Sequence, residues 1–342
     1  MKASGRRLLW AAWVGLLAAA GGCSAAPAPP APSDDFRPAD FRPPRTVRFA
    51  ENPIIRPEML PGADGDNING PSLIAVPRWV PHPLGKYYLY FAHHGGAYIR
   101  LAYADDLHGP WHIHGPGVLR LEDTVGRGHV ASPDVLVDEA ARTIRLYFHV
   151  ESVPGHKGQV TLVATSATGL DFRASSEVLG PYYFRVFRHG GFYYALDRSG
   201  RAFRSQDGLR DFESGPIVLP AEGAASVRHV AVRLVGNTAE IYYSRAGDTP
   251  ERIVLSRMGL SGDWKTWRAT RAVDVLAPEM KYEGADLPLA PSRTGRGKGR
   301  QLRDPAVFEE AGRTWLLYCV AGESGIAAAE LIDARAPSPD GV

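Results

Sequence analysis

One phrase recurs five times along the chain, and it limits the fold more than any other feature. It consists of a short apolar run, a turn, an aromatic-rich run, a second turn and an alternating run. The copies occupy 72–76, 86–91 and 98–103; then 133–137, 144–148 and 160–164; then 183–187, 192–196 and 202–205. The fourth spans 229–233, 239–243 and 252–256, and the fifth 305–308, 314–318 and 325–329. Runs this short, bounded by Gly, Pro, Asn and Asp, read as strands. A period of roughly 50 residues points to propeller blades, because each small sheet can bury its faces only against a neighbour. The expected architecture is therefore all-β, a five-bladed β-propeller over 46–335. The fifth copy has three clear strands, so the segment at Thr46-Val-Arg-Phe is expected to supply its outer strand and close the ring. A β-sandwich with a small appended domain is the structural alternative. No long amphipathic pattern supports an α/β enzyme fold.

The 342 residues are 44% hydrophobic, enough to fill a core, and the 37 glycines and 28 prolines favour turns over long helices. Without Lys2, Arg6 and Arg7 the 39 basic residues fall to 36, against 37 acidic, so the body is near neutral and no nucleic-acid partner is expected. Those three cations precede the apolar stretch Leu8 to Ala20, which is too short to span a bilayer, and the whole of 1–23 reads as an export signal. It ends Ala20-Gly-Gly-Cys23-Ser, similar to a bacterial lipobox with Cys23 as the lipidated residue; an ordinary cleaved signal is the alternative. Residues 24–45 form an Ala/Pro-rich tether and 336–342 a disordered tail. The expected location is the cell envelope, with the membrane touched only through the lipid. Cys319, in an apolar run, reads as a small buried hydrophobe.

In a propeller the first strand of each blade lines the channel, and its leading residues meet at one mouth. Blade one delivers Asp64, Asp66, Asn67 and Asn69; blade two His129, Ser132 and Asp134; blade three Tyr182, Tyr183 and Arg185. Blade four delivers Arg228 and His229, and blade five Arg303 and Asp304, preceded by Glu283 and Asp286. Other strand ends add His93, His94, Asp197, Arg245 and Glu323. Charge gathered at one end of every repeat is hard to explain by stability alone, since burying it is costly unless it is paired. The alternative for any one residue is a blade-to-blade ion pair, notably Arg303 or Asp304. His112 and His114 share a strand face but lack a third metal ligand, and no metal site is assigned. The glycine-rich basic segment 295–300 lacks the residues of a phosphate loop and reads as a loop over the channel. One tyrosine of each pair at 87–88, 193–194 and 242–243 is expected in a core, and Trp79 and Tyr98 are candidates for sugar stacking.

Arg-Asp-Pro at 303–305, the Glu-Gly turn at 283–284 and Ser-Pro-Asp-Val at 132–135 resemble the five-bladed propeller glycoside hydrolases of families 43, 32 and 117 over about residues 50–332. The resemblance implies an exported glycoside hydrolase acting on a plant, algal or microbial oligosaccharide, expected as a monomer. Glycosidic cleavage needs one protonated and one ionised carboxyl across the sugar. By motif match Glu283 is the candidate acid, with His229 as the alternative, and Asp304 the stabilising or orienting carboxylate. Substrate contacts fall to Asn69, His93, His94, His129, Arg185, Arg228, Arg245, Asp286, Arg303 and Glu323. No cofactor is required, and a structural calcium ion in the channel is compatible with the resemblance. The sequence departs from the family 43 pattern where Gly70 precedes Pro71, so the base would come from Asp66 or Asp134. The rival readings are a carbohydrate-binding surface lipoprotein, which Gly70 favours, and a propeller phosphorylase, which would need Arg185, Arg245 and Arg303 around a phosphate.

Overall fold

The computed structural model describes residues 42–220, 226–291 and 297–333. The export signal, Cys23, nearly all of the tether, residues 295 and 296 of the basic loop and the tail lie outside them.

Five antiparallel sheets follow one another along the chain. Blade one comprises β2 (Asn69–Ala75), β3 (Tyr87–Ala92), β4 (Tyr98–Ala104) and β5 (His112–Arg120). Blade two comprises β6 (Arg127–Asp138), β7 (Thr143–Ser152) and β8 (Val160–Ser166), edged by the short β9 (Arg173–Ala174) and β10 (Gly180–Pro181). Blade three holds β11 (Arg185–His189), β12 (Phe192–Leu196), β13 (Arg201–Ser205) and β14 (Glu213–Ile217). Blade four holds β15 (Ser226–Val235), β16 (Thr238–Ala246), β17 (Ile253–Gly259) and β18 (Val273–Leu276). Blade five is built from both ends of the chain. Its β19 (Arg303–Glu310), β20 (Arg313–Cys319) and β21 (Ile326–Ile332) are completed by β1 (Arg45–Arg48), in the order β1-β21-β20-β19. Thr46 pairs with Leu331 and Val47 with Glu330, so the ring closes where the sequence placed the closure. The sandwich alternative is excluded.

The hairpins are set by local chemistry. Gly190 and Gly191 join β11 to β12 with φ of 53° and 83°, the left-handed pair that a two-residue turn requires to match strand twist. Period-two alternation then sends successive side chains into different gaps. Tyr88 and Tyr90 pack toward blade two, whereas Tyr87, Leu89 and Phe91 pack toward blade five. Tyr242 and Tyr243 divide the same way between the two neighbours of blade four. Five separate apolar clusters result, one in each gap between blades, and Cys319 is buried in one of them as expected. This packing leaves the polar residues at the head of each inner strand no apolar layer to join, and they meet around the axis.

Candidate functional site at the channel mouth

The head of the inner strand is bulged in four blades, with register shifts between Asn69 and Ser72, Ala131 and Asp134, Val227 and Val230, and Arg303 and Ala306. At Gly70, Ser132, Tyr183 and Asp304 the backbone has φ of 60°, 51°, 69° and 48°. For the three non-glycine residues this is strained, about 1–3 kcal/mol each, and such strain persists only where surrounding structure enforces it. It turns the residue toward the axis and brings the blades into contact. A Cβ on Gly70 would stand 3.1 Å from the Ser132 Cα, so a side chain there would press on the backbone of blade two and would also have to hold a positive φ.

Asp304, fully buried, is the centre of the innermost layer. Its Oδ2 accepts the Gly70 N–H at 3.2 Å and faces the Cys319 thiol, and its Oδ1 is paired with His229 Nδ1. His229 Nε2 in turn lies 3.4 Å from Ser132 Oγ, and Tyr183 packs edge-on against the imidazole at 4.1 Å. Burial works to raise the Asp304 carboxyl, but His229, Arg228 and Arg303 outweigh it and hold the group well below the usual carboxylate range. Burial pushes His229 down against the pull of Asp304. The pair is therefore an ionised carboxylate set against the Nδ1 edge of a neutral imidazole.

A second layer is centred on Glu323. Its Oε2 accepts from Asn67 at 2.6 Å, Asn69 at 3.2 Å and His94 Nδ1 at 3.0 Å, and Arg303 Nη1 reaches Oε1 at 3.2 Å. Arg303 Nε also binds Glu251, which takes Arg228 Nε at 2.7 Å and the Ser244 hydroxyl at 2.8 Å. Burial raises the Glu323 carboxyl, yet the hydrogen bond from His94 and the charge of Arg303 bring it to about 2 despite nearby Asp304. The same bond raises His94 above its ordinary value. His94 keeps 29% of its side chain exposed, so it carries the charge of this layer toward solvent. Beside it run His129 and His149, with Nε2 atoms 3.1 Å apart, and Tyr183 closes the arc against His149 at 4.6 Å. Burial drives His149 well below its ordinary value.

No family model matches the chain. The "Uncharacterized protein R118" of Acanthamoeba polyphaga mimivirus is 37% identical over 319 residues, covering 83% of this chain and 90% of its own length. The chain belongs to the family of that viral protein. Among solved structures, a GH43 β-xylosidase/α-arabinofuranosidase from a compost microbial metagenome superposes with a TM-score of 0.58 at 15% identity, covering 86% of this chain and 97% of its own. A GH43_1 enzyme from Xanthomonas citri gives 0.57 at 14% identity, covering 81% and 89%. An exo-1,5-α-L-arabinanase from a bovine ruminal metagenomic library gives 0.53 at 12%, covering 77% and 91%. The chain thus shares the five-bladed fold of these glycoside hydrolases.

Of the residues expected at the mouth, Asn69, His94, His129, Arg228, His229, Arg303, Asp304 and Glu323 join the two layers just described. Arg185 lies against them, with Nη1 on the Ser132 carbonyl at 3.3 Å, and His93 is half-buried beside His94. Others are elsewhere. Glu283 does not face the channel: it is buried in the gap between blades four and five. There it accepts from Arg48 Nε at 2.8 Å and Nη2 at 3.1 Å, from Tyr318 at 2.9 Å and from the backbone of Glu279 and Met280. With five donors on two oxygens it is a carboxylate that ties β1 to the ring, and the acid role expected of it is withdrawn. Asp134 accepts the Val186 N–H at 2.7 Å and stitches blade two to blade three, as the Ser72 hydroxyl stitches blade one to Val135. Arg245 pairs with Asp248 in the turn after β16, and Asp286 stands exposed on its loop. Asp66 is exposed on the turn that enters blade one. Trp79 follows β2 at the end away from the mouth and bonds Glu139, whereas Tyr98 is on the mouth side with its hydroxyl on Asp64. His149 and Glu251 were not anticipated. The signal for His149 was its place at the end of a second strand, which returns to the mouth beside Ala131. Among the described residues no cluster of three metal-ligating side chains has metal-site geometry.

Proposed function

We propose that the chain is a glycoside hydrolase acting at this mouth on an oligosaccharide, with His94 as the proton donor. The observation that carries the reading is the His94–Glu323 pair: a half-exposed imidazole, raised in pKa by a buried carboxylate, at the mouth of a fold shared with family 43 enzymes. A donor to a glycosidic oxygen must be protonated near neutral pH and reachable. His94 is raised by Glu323 and reaches solvent, whereas burial lowers His229 and Glu283 is occupied. Asp304 keeps its negative charge beneath the sugar, where an oxocarbenium-like transition state gains from it. Asp66, the base offered by the sequence, stands exposed on the turn that enters blade one, outside the two layers, and no base is assigned. Export to the cell envelope on a Cys23 lipid remains part of this proposal.

A specific observation favours one rival. Gly70 gives blade one no carboxylate, and each carboxylate of the two layers is already bonded, which suits a propeller that holds a sugar without cutting it. Phosphorolysis fits less well, because Arg303 and Arg245 are engaged by carboxylates. The deciding experiment incubates the chain with plant, algal and bacterial oligosaccharides and detects released sugars by mass spectrometry. Release that falls about 100-fold or more in His94→Gln and Glu323→Gln is the expected result. Release that survives His94→Gln removes the assignment, and thermal stabilisation by a glycan with no release establishes the binding protein.

A further inference from the structure

Below His94, three side chains from three blades stand in line. Ser132 comes from blade two, His229 from blade four and Asp304 from blade five, and all are at least nine-tenths buried. Asp304 is acceptor-only and paired with His229 Nδ1, which fixes the tautomer and leaves the Nε2 lone pair directed at Ser132 Oγ, 3.4 Å away. A nucleophile, a base within reach and a third group orienting the base is the arrangement that activates a hydroxyl, and the first contact is commonly long before substrate binds. Two further observations bear on Ser132, the first shared with Tyr183 and Asp304. Its backbone is held at φ 51°, and a strained turn is also how hydrolases with a nucleophile elbow push a serine out of the main chain. Beside it lies Arg185, whose Nη1 bonds the Ser132 carbonyl while the buried Nη2 has no partner among the described residues. An unpaired buried donor next to a nucleophile is placed to meet the negative oxygen that forms on attack.

We propose that Ser132 is a nucleophile and that the channel floor hydrolyses small carboxylic esters, the O-acyl groups of a substituted sugar being the class that fits a sugar-binding mouth. Ser132 Oγ bonds to the acyl carbon while His229 Nε2 takes its proton. The charge that develops on the carbonyl oxygen faces Arg185. The ester C–O bond then breaks, His229 returns the proton to the departing alcohol, and the acyl group stays on Ser132. Water attacks that acyl carbon, His229 takes the water proton and passes it to Ser132 Oγ, and a carboxylic acid leaves. Water is the only co-reactant. The burial of all three residues restricts the acyl group to a small one such as acetyl. This activity rests on the sugar-binding mouth and shares Asp304 with the glycoside reading, but it also uses Ser132 and His229, which that reading does not need, so loss in Ser132→Gly with glycoside release intact separates the two.

The full chain would be treated with a fluorophosphonate probe, the adduct located by peptide mass spectrometry, and turnover of p-nitrophenyl acetate followed in parallel. Ser132→Gly is the variant of choice, because glycine accepts the positive φ and already occupies the corresponding place in blade one; its melting temperature verifies folding. Expected are an adduct on Ser132 and a loss of ester turnover of about 1,000-fold or more in Ser132→Gly and in Asp304→Asn. Folded wild type with no adduct on Ser132, or turnover unchanged in Ser132→Gly, overturns the proposal.

Discussion

Arg48 and Glu283 lie 235 positions apart and meet through two hydrogen bonds, with Arg48 partly open to solvent and Glu283 fully buried. Removing one partner of such a pair strands the other charge, which costs about 3–5 kcal/mol when both are dry and falls toward the lower figure here. Glu283→Gln is therefore expected to lower the unfolding free energy by about 3 kcal/mol in a urea titration while leaving the chemistry of the mouth intact in the protein that remains folded. Loss of turnover with unchanged stability would return Glu283 to the active site. The residue also shows what the sequence leaves open. An acid in a rigid turn before a strand reads the same whether its partner is a substrate or an arginine at the other end of the chain, because local composition carries no information about the partner. Asp134 misled for the same reason, its partner being a backbone N–H of the next blade. Asp304 and Glu323 were legible as mouth residues because their position follows from strand direction alone.

At the scale of elements, the strands were legible because turn residues and period-two patterning are local, and the closing strand because the fifth repeat lacked one. The bulges were not, since each depends on the neighbouring blade: Gly70 is small because Ser132 stands against it. Closure itself rests on four residues, Arg45–Arg48, paired to β21. Without them β21 becomes an open sheet edge with unpaired donors and acceptors, a template for another chain. A chain beginning at Asn52 is expected to unfold at lower urea than one beginning at Arg42 and to form concentration-dependent oligomers in sedimentation velocity. A monomer with an unchanged midpoint would mean that the other three strands of blade five hold the ring unaided.

Across the whole molecule the mouth gathers titratable groups whose shifts oppose one another, and the balance predicts how stability responds to pH. His149 and His229 are buried with pKa values lowered from 6.5, burial being the largest cause in each. His149 is further depressed by its titratable neighbours His129, His229 and His94 and by Arg185. Once the pH drops below about 6.5 the unfolded chain binds protons at these two positions that the folded chain refuses, so stability falls with pH. His94 acts in the opposite sense. Its pKa is raised, so its contribution is complete below about 6.5 and is lost as the pH climbs through the raised value. Glu323, brought to about 2, contributes above its ordinary 4.5 and loses that contribution only as the pH falls toward 2. Between about pH 5 and 6.5 the two buried imidazoles therefore set the slope, while His94 and Glu323 hold their contributions constant. Calorimetry over this range should show the melting temperature falling as acid is added. His149→Phe keeps a ring between His129 and Tyr183 while removing one refused proton, and it should flatten the slope. An equal slope in the variant would place the titrating group elsewhere, and a melting temperature that holds steady or rises with acid would remove the two buried imidazoles as its cause.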